Sequence, residues 1–126
     1  MVIQDFRDLK VWQVAMQLAT VVYTLTHSFP KSEAFGLTSQ MQRAAVSVPS
    51  NIAEGHARDS TKEFLRFISI AMGSLAEIET QIILAHKLNY IEERKLAELL
   101  ERTGEVGRML RGLQHSLKAK LQPPSL

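Results

Sequence analysis

At 126 residues and a formal charge of +2, the chain has the length of one domain and a balance too mild to imply nucleic acid or an anionic surface by itself. Hydrophobic residues make up 45% and charged ones 22%, which excludes a disordered or highly charged tail-like protein and leaves enough for a real core. Cysteine is absent, so disulfides and thiolate metal sites are excluded, and the scarcity of glycine and proline favours helices.

The opening MVIQDFRDLK carries two acids and no apolar stretch, so no signal peptide is expected. No uninterrupted apolar run approaches the roughly 18 residues of a membrane span. The expectation is a cytoplasmic helical domain over residues 1–121, with a disordered tail at 122–126 that contains Pro123 and Pro124.

Helix 1 is expected from about Asp8 to Ser28. Leu9, Trp12, Met16, Ala19 and Tyr23 form one apolar stripe, and Val11, Val14, Leu18, Val22 and Leu25 form a second beside it. Phe29-Pro30 ends it, because the residue before proline is pushed out of helical geometry. Ser32 is the expected cap of helix 2, which turns Leu37, Met41, Ala44, Val48 and Ile52 toward the core and ends near Gly55 as a left-handed cap. Ser60 and Glu63 have capping-box spacing and open helix 3.

Helix 3 continues through Phe64, Ile68, Ala71, Leu75, Ile78, Ile82 and Ala85 to a C-cap at Asn89. Its first half is apolar nearly all round, with Phe64, Leu65, Phe67, Ile68, Ile70 and Met72, and helix 1 shows the same excess. A helix apolar on every side is buried on every side, so self-association is expected. Helix 4 runs from about Ile91 to Leu121 through Leu96, Leu100, Thr103, Val106, Leu110, Leu113 and Leu117. Gly104, Gly107 and Gly112 lie within that period and read as close helix–helix contacts or as a hinge. Short links between long amphipathic helices give an all-α, antiparallel up-and-down four-helix bundle.

Catalytic and metal patterns are missing. Bundle di-metal sites use a glutamate three residues before a histidine, but His27, His56, His86 and His115 follow Thr24, Ala53, Ile83 and Gly112. Glu77 and Glu79 lie two apart on a helix and diverge. No phosphate loop or nucleotide fingerprint occurs. The chain reads as a non-enzymatic protein with no cofactor and no metal.

Charge is polarised along the chain. Seven Lys/Arg lie between Arg94 and Lys120 against three acids, whereas residues 71–93 hold four acids against Lys87. Arg108, Arg111, His115 and Lys118 share one face of helix 4, where they complement the helix dipole or form a binding stripe. Arg58, Lys62 and Arg66 stand at the start of helix 3, either as an ion-pair network with Asp59 and Glu63 or as an anion-binding patch. Arg58, Lys62, Arg66, Arg108, Arg111 and Lys118 are therefore the nucleic-acid candidates.

Gln40, Arg43, Ser47, Asn51 and Glu54 form a polar seam along helix 2 beside the apolar Ala44, Ala45, Val46 and Val48, with Pro49 in its middle. Proline removes a backbone hydrogen bond and crowds the preceding turn. A polar seam with an interior proline exceeds what core filling needs, and its expected role is to fix which surfaces meet.

The Gln40–Arg58 segment, QMQRAAVSVPSNIAEGHAR, resembles the signature of the four-helix bundle proteins encoded by intervening sequences in 23S ribosomal RNA genes. Leu9-Lys10-Val11-Trp12-Gln13, Phe29-Pro30-Lys31, Phe35-Gly36-Leu37-Thr38, Phe64 through Ala71 and Gly73 through Glu77 extend the likeness over about residues 6–113. Ala57 departs from it where relatives often place a second glycine, which bears on the 55–58 turn. The resemblance implies an antiparallel bundle assembling into a ring-like homopentamer. A related group, accessory proteins of diversity-generating retroelements, binds a reverse transcriptase and nucleic acid through a basic surface. By that analogy the implied partners are RNA or DNA and a reverse transcriptase or other protein; the alternative is a scaffold that binds protein alone. No catalytic residue is implied.

Overall fold

The computed structural model describes residues 5–122. Four helices follow in order: α1 Lys10–Thr26, α2 Leu37–Ala57, α3 Thr61–Lys87 and α4 Glu93–Leu121, with single 3-10 turns at Phe6–Asp8 and Lys31–Glu33. Neighbours run antiparallel. Gly55 of α2 meets Phe67 of α3, while Ser47, a little over two turns back, meets Ser74, about two turns on. Leu75 and Glu79 of α3 likewise meet Gly107 and Thr103 of α4. Among neighbouring helices α1 and α4 touch least, and no strand occurs among the described residues. The fold is the expected all-α four-helix bundle.

The buried face of each helix carries the expected period. Leu18 and Val22 of α1, Met41, Val48 and Ile52 of α2, Ile68, Ile78 and Ile82 of α3, and Val106 and Leu110 of α4 are enclosed. Leu99 joins them, although the expected α4 stripe did not include it. Each such aliphatic side chain contributes roughly 1.5–3 kcal/mol by leaving water.

Several helix ends differ from expectation for local reasons. Asp5 accepts hydrogen bonds from the Arg7 backbone and guanidinium, closing a separate 3-10 turn before α1. Leu9 is extended there, so α1 starts at Lys10 rather than Asp8 and stops at Thr26 rather than Ser28. Ser32 does not cap α2. Glu33 does, accepting from the Leu37 N–H at 3.1 Å, while Gly36 occupies the cap position. A Cβ at Gly36 would stand 2.8 Å from the Glu33 Oε1, so glycine lets that carboxylate sit where it caps α2 and a larger residue would make it shift. Gly55 is no left-handed cap either: α2 continues to Ala57, and no described glycine has positive φ. A Cβ at Gly55 would lie 2.7 Å from the Phe67 Cβ and 2.9 Å from the Phe64 Cδ1, so its role is close approach of α2 to α3.

The start of α3 is capped on one side only. Ser60 accepts from the Glu63 N–H at 3.2 Å, but Glu63 gives its carboxylate to Arg66 instead of returning the bond. Asn89 ends α3 as expected, with φ of 65°. The N–H groups of Asn89 and Tyr90 reach back to His86 and Ala85, a Schellman arrangement. α4 begins at Glu93 and passes unbroken through its glycines. Of these, Gly107 is buried and an added Cβ would contact Leu75; Gly112 faces open space and Gly104 only the end of Arg108. The expectation of helix contact holds for Gly107 and fails for the other two.

α3 has the length and composition of a membrane-crossing helix even though no single apolar run is that long, and well under half of its most apolar stretch is buried in the bundle. Glu77 and Glu79 interrupt that stretch, and Glu79 accepts from the enclosed Thr103 hydroxyl at 2.8 Å. The expected Pro123–Pro124 tail lies outside the described residues.

Candidate nucleic-acid interface and assembly surfaces

Because α3 and α4 are antiparallel, the first turns of α3 stand beside the last turns of α4. Lys62 and Arg66 sit one turn apart on α3, and Gln114 and Lys118 one turn apart on α4. Together with Ser69 they line an open cleft of about 300 Å³. Three of the six candidate cations thus share one cleft. Glu63 also lines the cleft and accepts from Arg66 at 3.1 and 3.3 Å. That bond holds the Glu63 carboxyl below its ordinary pKa and the Arg66 guanidinium above its own. Arg66 also lies 4.6 Å above the Phe67 ring, so it is held in place while its outer edge faces water.

The remaining cations divide. Arg58 sits on the corner between α2 and α3, stacked 5.1 Å from Phe67 and 3.6 Å from Glu54, outside the cleft. Arg108 pairs with Glu101 at 3.7 Å, an exposed contact contributing about 0–1 kcal/mol. Arg111 and Lys118 are seven residues apart on one α4 face, so Arg111 extends the positive stripe beyond the cleft.

The polar seam also divides. Ser47 shares a 2.8 Å hydrogen bond with Ser74 of α3, and Asn51 donates to the Ser47 carbonyl at 2.8 Å and hydroxyl at 3.0 Å. The Ser47–Ser74 bond ties α2 to α3 within one subunit, and Asn51 holds Ser47 from its own helix. Glu54 is occupied by Arg58, whereas Gln40 and Arg43 are exposed. Sequence reasoning missed Ser74, the α3 side of this seam, and the buried Gln81 on the same helix. Their heptad spacing on α3 was the available signal. The Gln81 Oε1 is buried without a partner among the described residues.

Of the two places where surplus apolar surface was expected, α1 keeps it and early α3 mostly does not. Most of the early α3 surplus is covered by α2 and α4: Phe67 is buried, Phe64, Leu65 and Met72 are half-buried, and Ile70 alone is exposed. In α1 the Val11, Val14, Leu18, Val22, Leu25 stripe takes the core, leaving the Trp12, Met16, Tyr23 stripe outward. With Val46 and Pro49 of α2, that stripe lines a groove of about 480 Å³. Phe35, on the link between α1 and α2, is 100% exposed.

Neither surface has the makings of a metal centre. Among the described residues no group of three or more His, Asp or Glu converges, and His56 packs edge-on against Phe64 at 5.8 Å.

Residues 7–112 match the family model of the 23S rRNA-intervening sequence protein. The chain belongs to that family. The crystal structure of a protein of unknown function from the S23 ribosomal protein family of Bacteroides thetaiotaomicron VPI-5482 has the same fold, with a TM-score of 0.77 and 19% identity. The likeness covers 83% of this chain and 95% of that one. No curated protein matches the sequence. The segments that carried the resemblance now have physical roles: Gly36 makes room for the Glu33 cap, Gly55 admits Phe67, and Ser47 binds Ser74.

Proposed function

We propose that this family member is a non-enzymatic, homo-oligomeric binding protein of the cytoplasm that holds the phosphate backbone of RNA or DNA against its α3/α4 face. The observation that carries this reading is the convergence of Lys62, Arg66 and Lys118, from two helices, on one cleft that also offers the Ser69 hydroxyl and the Gln114 amide. Cations and neutral donors together are what a phosphodiester needs. Arg111 extends the track along α4, and Arg108 and Arg58 add longer-range attraction from the cleft's periphery. The cleft residues include no aromatic, so bases have no stacking platform there and contact is with the backbone. The family's tie to a ribosomal RNA intervening sequence makes RNA the first ligand to test.

Binding should weaken steeply with salt, because each neutralised phosphate releases counterions. With three cations engaged, log K should fall against log salt with a slope of roughly −2 to −3. Titrating labelled RNA and single-stranded DNA at two salt concentrations measures this. No binding at low salt would sink the reading.

The apolar groove between α1 and α2 favours a second reading, a scaffold whose partners are proteins alone. A reverse transcriptase is the partner that analogy with the retroelement accessory group brings forward. Partners retained after nuclease treatment in a pull-down would favour the scaffold; partners lost with the nucleic acid would favour the first reading.

A further inference from the structure

We propose that Phe35 of one subunit seats in the α1/α2 groove of the next copy of this chain, joining subunits head to tail. This rests on the homo-oligomeric part of the reading above and assigns its contact.

The knob is a fully exposed phenyl ring on a pinned link. Glu33, two residues before it, accepts from the Leu37 N–H at 3.1 Å and from the Tyr90 hydroxyl at 2.7 Å, tying the link to α2 and to the turn before α4. Tyr90 in turn packs against Phe29 at 5.3 Å. An apolar ring held out to water by such contacts loses little freedom on docking, which is how anchor residues gain affinity.

The hole is the groove floored by Trp12 and Pro49 and walled by Met16, Tyr23 and Val46, which are 42%, 46% and 43% exposed. Its volume of about 480 Å³ exceeds that of a benzyl group. The complete exposure of Phe35 shows that it does not fill the groove of its own chain.

Complementarity favours a second copy as the occupant, because the same chain presents a fully exposed ring and an apolar groove that its own ring does not fill. A docked aromatic buries roughly 150–250 Å², and the groove walls lose a similar amount, so the pair supplies about 400 Å². That is the core of an interface but short of the roughly 1,200 Å² of a standard one. A head-to-tail arrangement uses the contact twice per subunit, once through its knob and once through its groove, and a closed ring leaves neither exposed. Because knob and groove are different surfaces, the contact is heterologous.

That asymmetry provides the test. Phe35→Ala and Met16→Glu change exposed side chains, and circular dichroism and thermal melting confirm that each variant folds. Masses of the wild type, each variant and an equimolar mixture are then measured by light scattering on size exclusion at micromolar concentration. The wild type is expected to be an oligomer, and each variant alone a monomer. The mixture is expected to give a 1:1 dimer that grows no further, since only the Met16→Glu subunit offers a knob and only the Phe35→Ala subunit a groove. An oligomeric wild type whose mass both variants retain, or a mixture without the dimer, overturns the knob and groove alone. A monomeric wild type overturns the homo-oligomeric reading itself, and the knob and groove with it.

Discussion

The α1/α2 side and the α3/α4 side of this bundle share a core but present opposite chemistry to water. Trp12, Met16, Tyr23, Val46 and Pro49 line an uncharged groove on one, and Lys62, Arg66 and Lys118 line a charged cleft on the other. Helices of one subunit thus divide into a pair with an apolar outer surface and a pair with a cationic one. A charged ligand and a protein surface need not compete for one site, and damage to one side should leave the other working.

The largest expected effect comes from the corner both sides depend on. Gly55→Val places methyl groups where Phe64 and Phe67 already stand and should cost about 3 kcal/mol by overpacking. Chemical denaturation measures the loss, and nucleic-acid binding and assembly should fall together. Loss of one function only would show that the two sides are not joined through this contact.

Thr103→Val keeps the shape but removes the hydroxyl that donates to Glu79 between α3 and α4. A drop of about 1.5 kcal/mol is expected, because the acceptor is charged. Assembly, measured by mass, should not change. Ser47→Ala removes the bond to Ser74 on the seam between the halves, at a cost of about 1 kcal/mol by denaturation. Arg43→Ala, at the exposed part of that seam, should loosen assembly more than it unfolds the subunit, and mass set against melting temperature separates these.

The smallest effect is a pH dependence. Hydrogen bonds from Tyr90, and then from the Leu37 N–H, hold the Glu33 carboxyl below its ordinary pKa of 4.5. Its stabilisation is therefore present above that value and is lost as pH falls below it. The Tyr90 pKa is raised above 10.0 by the same bond, so that contribution is present below 10.0 and is lost as pH rises above it. Glu33→Gln should flatten the acid limb of melting temperature against pH, and assembly through the Phe35 link should weaken on that limb before the helices melt.

Much of the fold was legible because helix periodicity and Pro30, Ser60 and Asn89 report on local geometry. Gly55 was misread because a glycine at a helix end serves equally as a cap and as a close approach. The choice depends on Phe67, which lies 12 residues on and meets it only in the folded bundle. Ser32 was chosen as a cap by residue type, whereas Glu33 does the work because Gly36 makes space for its carboxylate. At the cleft, three-four spacing revealed Lys62 with Arg66 on one helix. Their pairing with Lys118 and Gln114 needed the antiparallel register. The groove was half legible: the second apolar stripe of α1 is visible in sequence, but which stripe faces the core is settled by packing against α2.

The central claim is that the α3/α4 cleft holds the nucleic acid and takes no part in assembly. Fluorescence anisotropy of a labelled RNA, titrated with wild type and with a Lys62→Ala/Arg66→Ala/Lys118→Ala variant while oligomer mass is recorded on the same samples, tests it most directly. The account predicts affinity at low salt reduced roughly tenfold or more, with a shallower salt slope and unchanged mass. Wild-type affinity and slope in the triple variant, or loss of the oligomer along with the RNA, would contradict it.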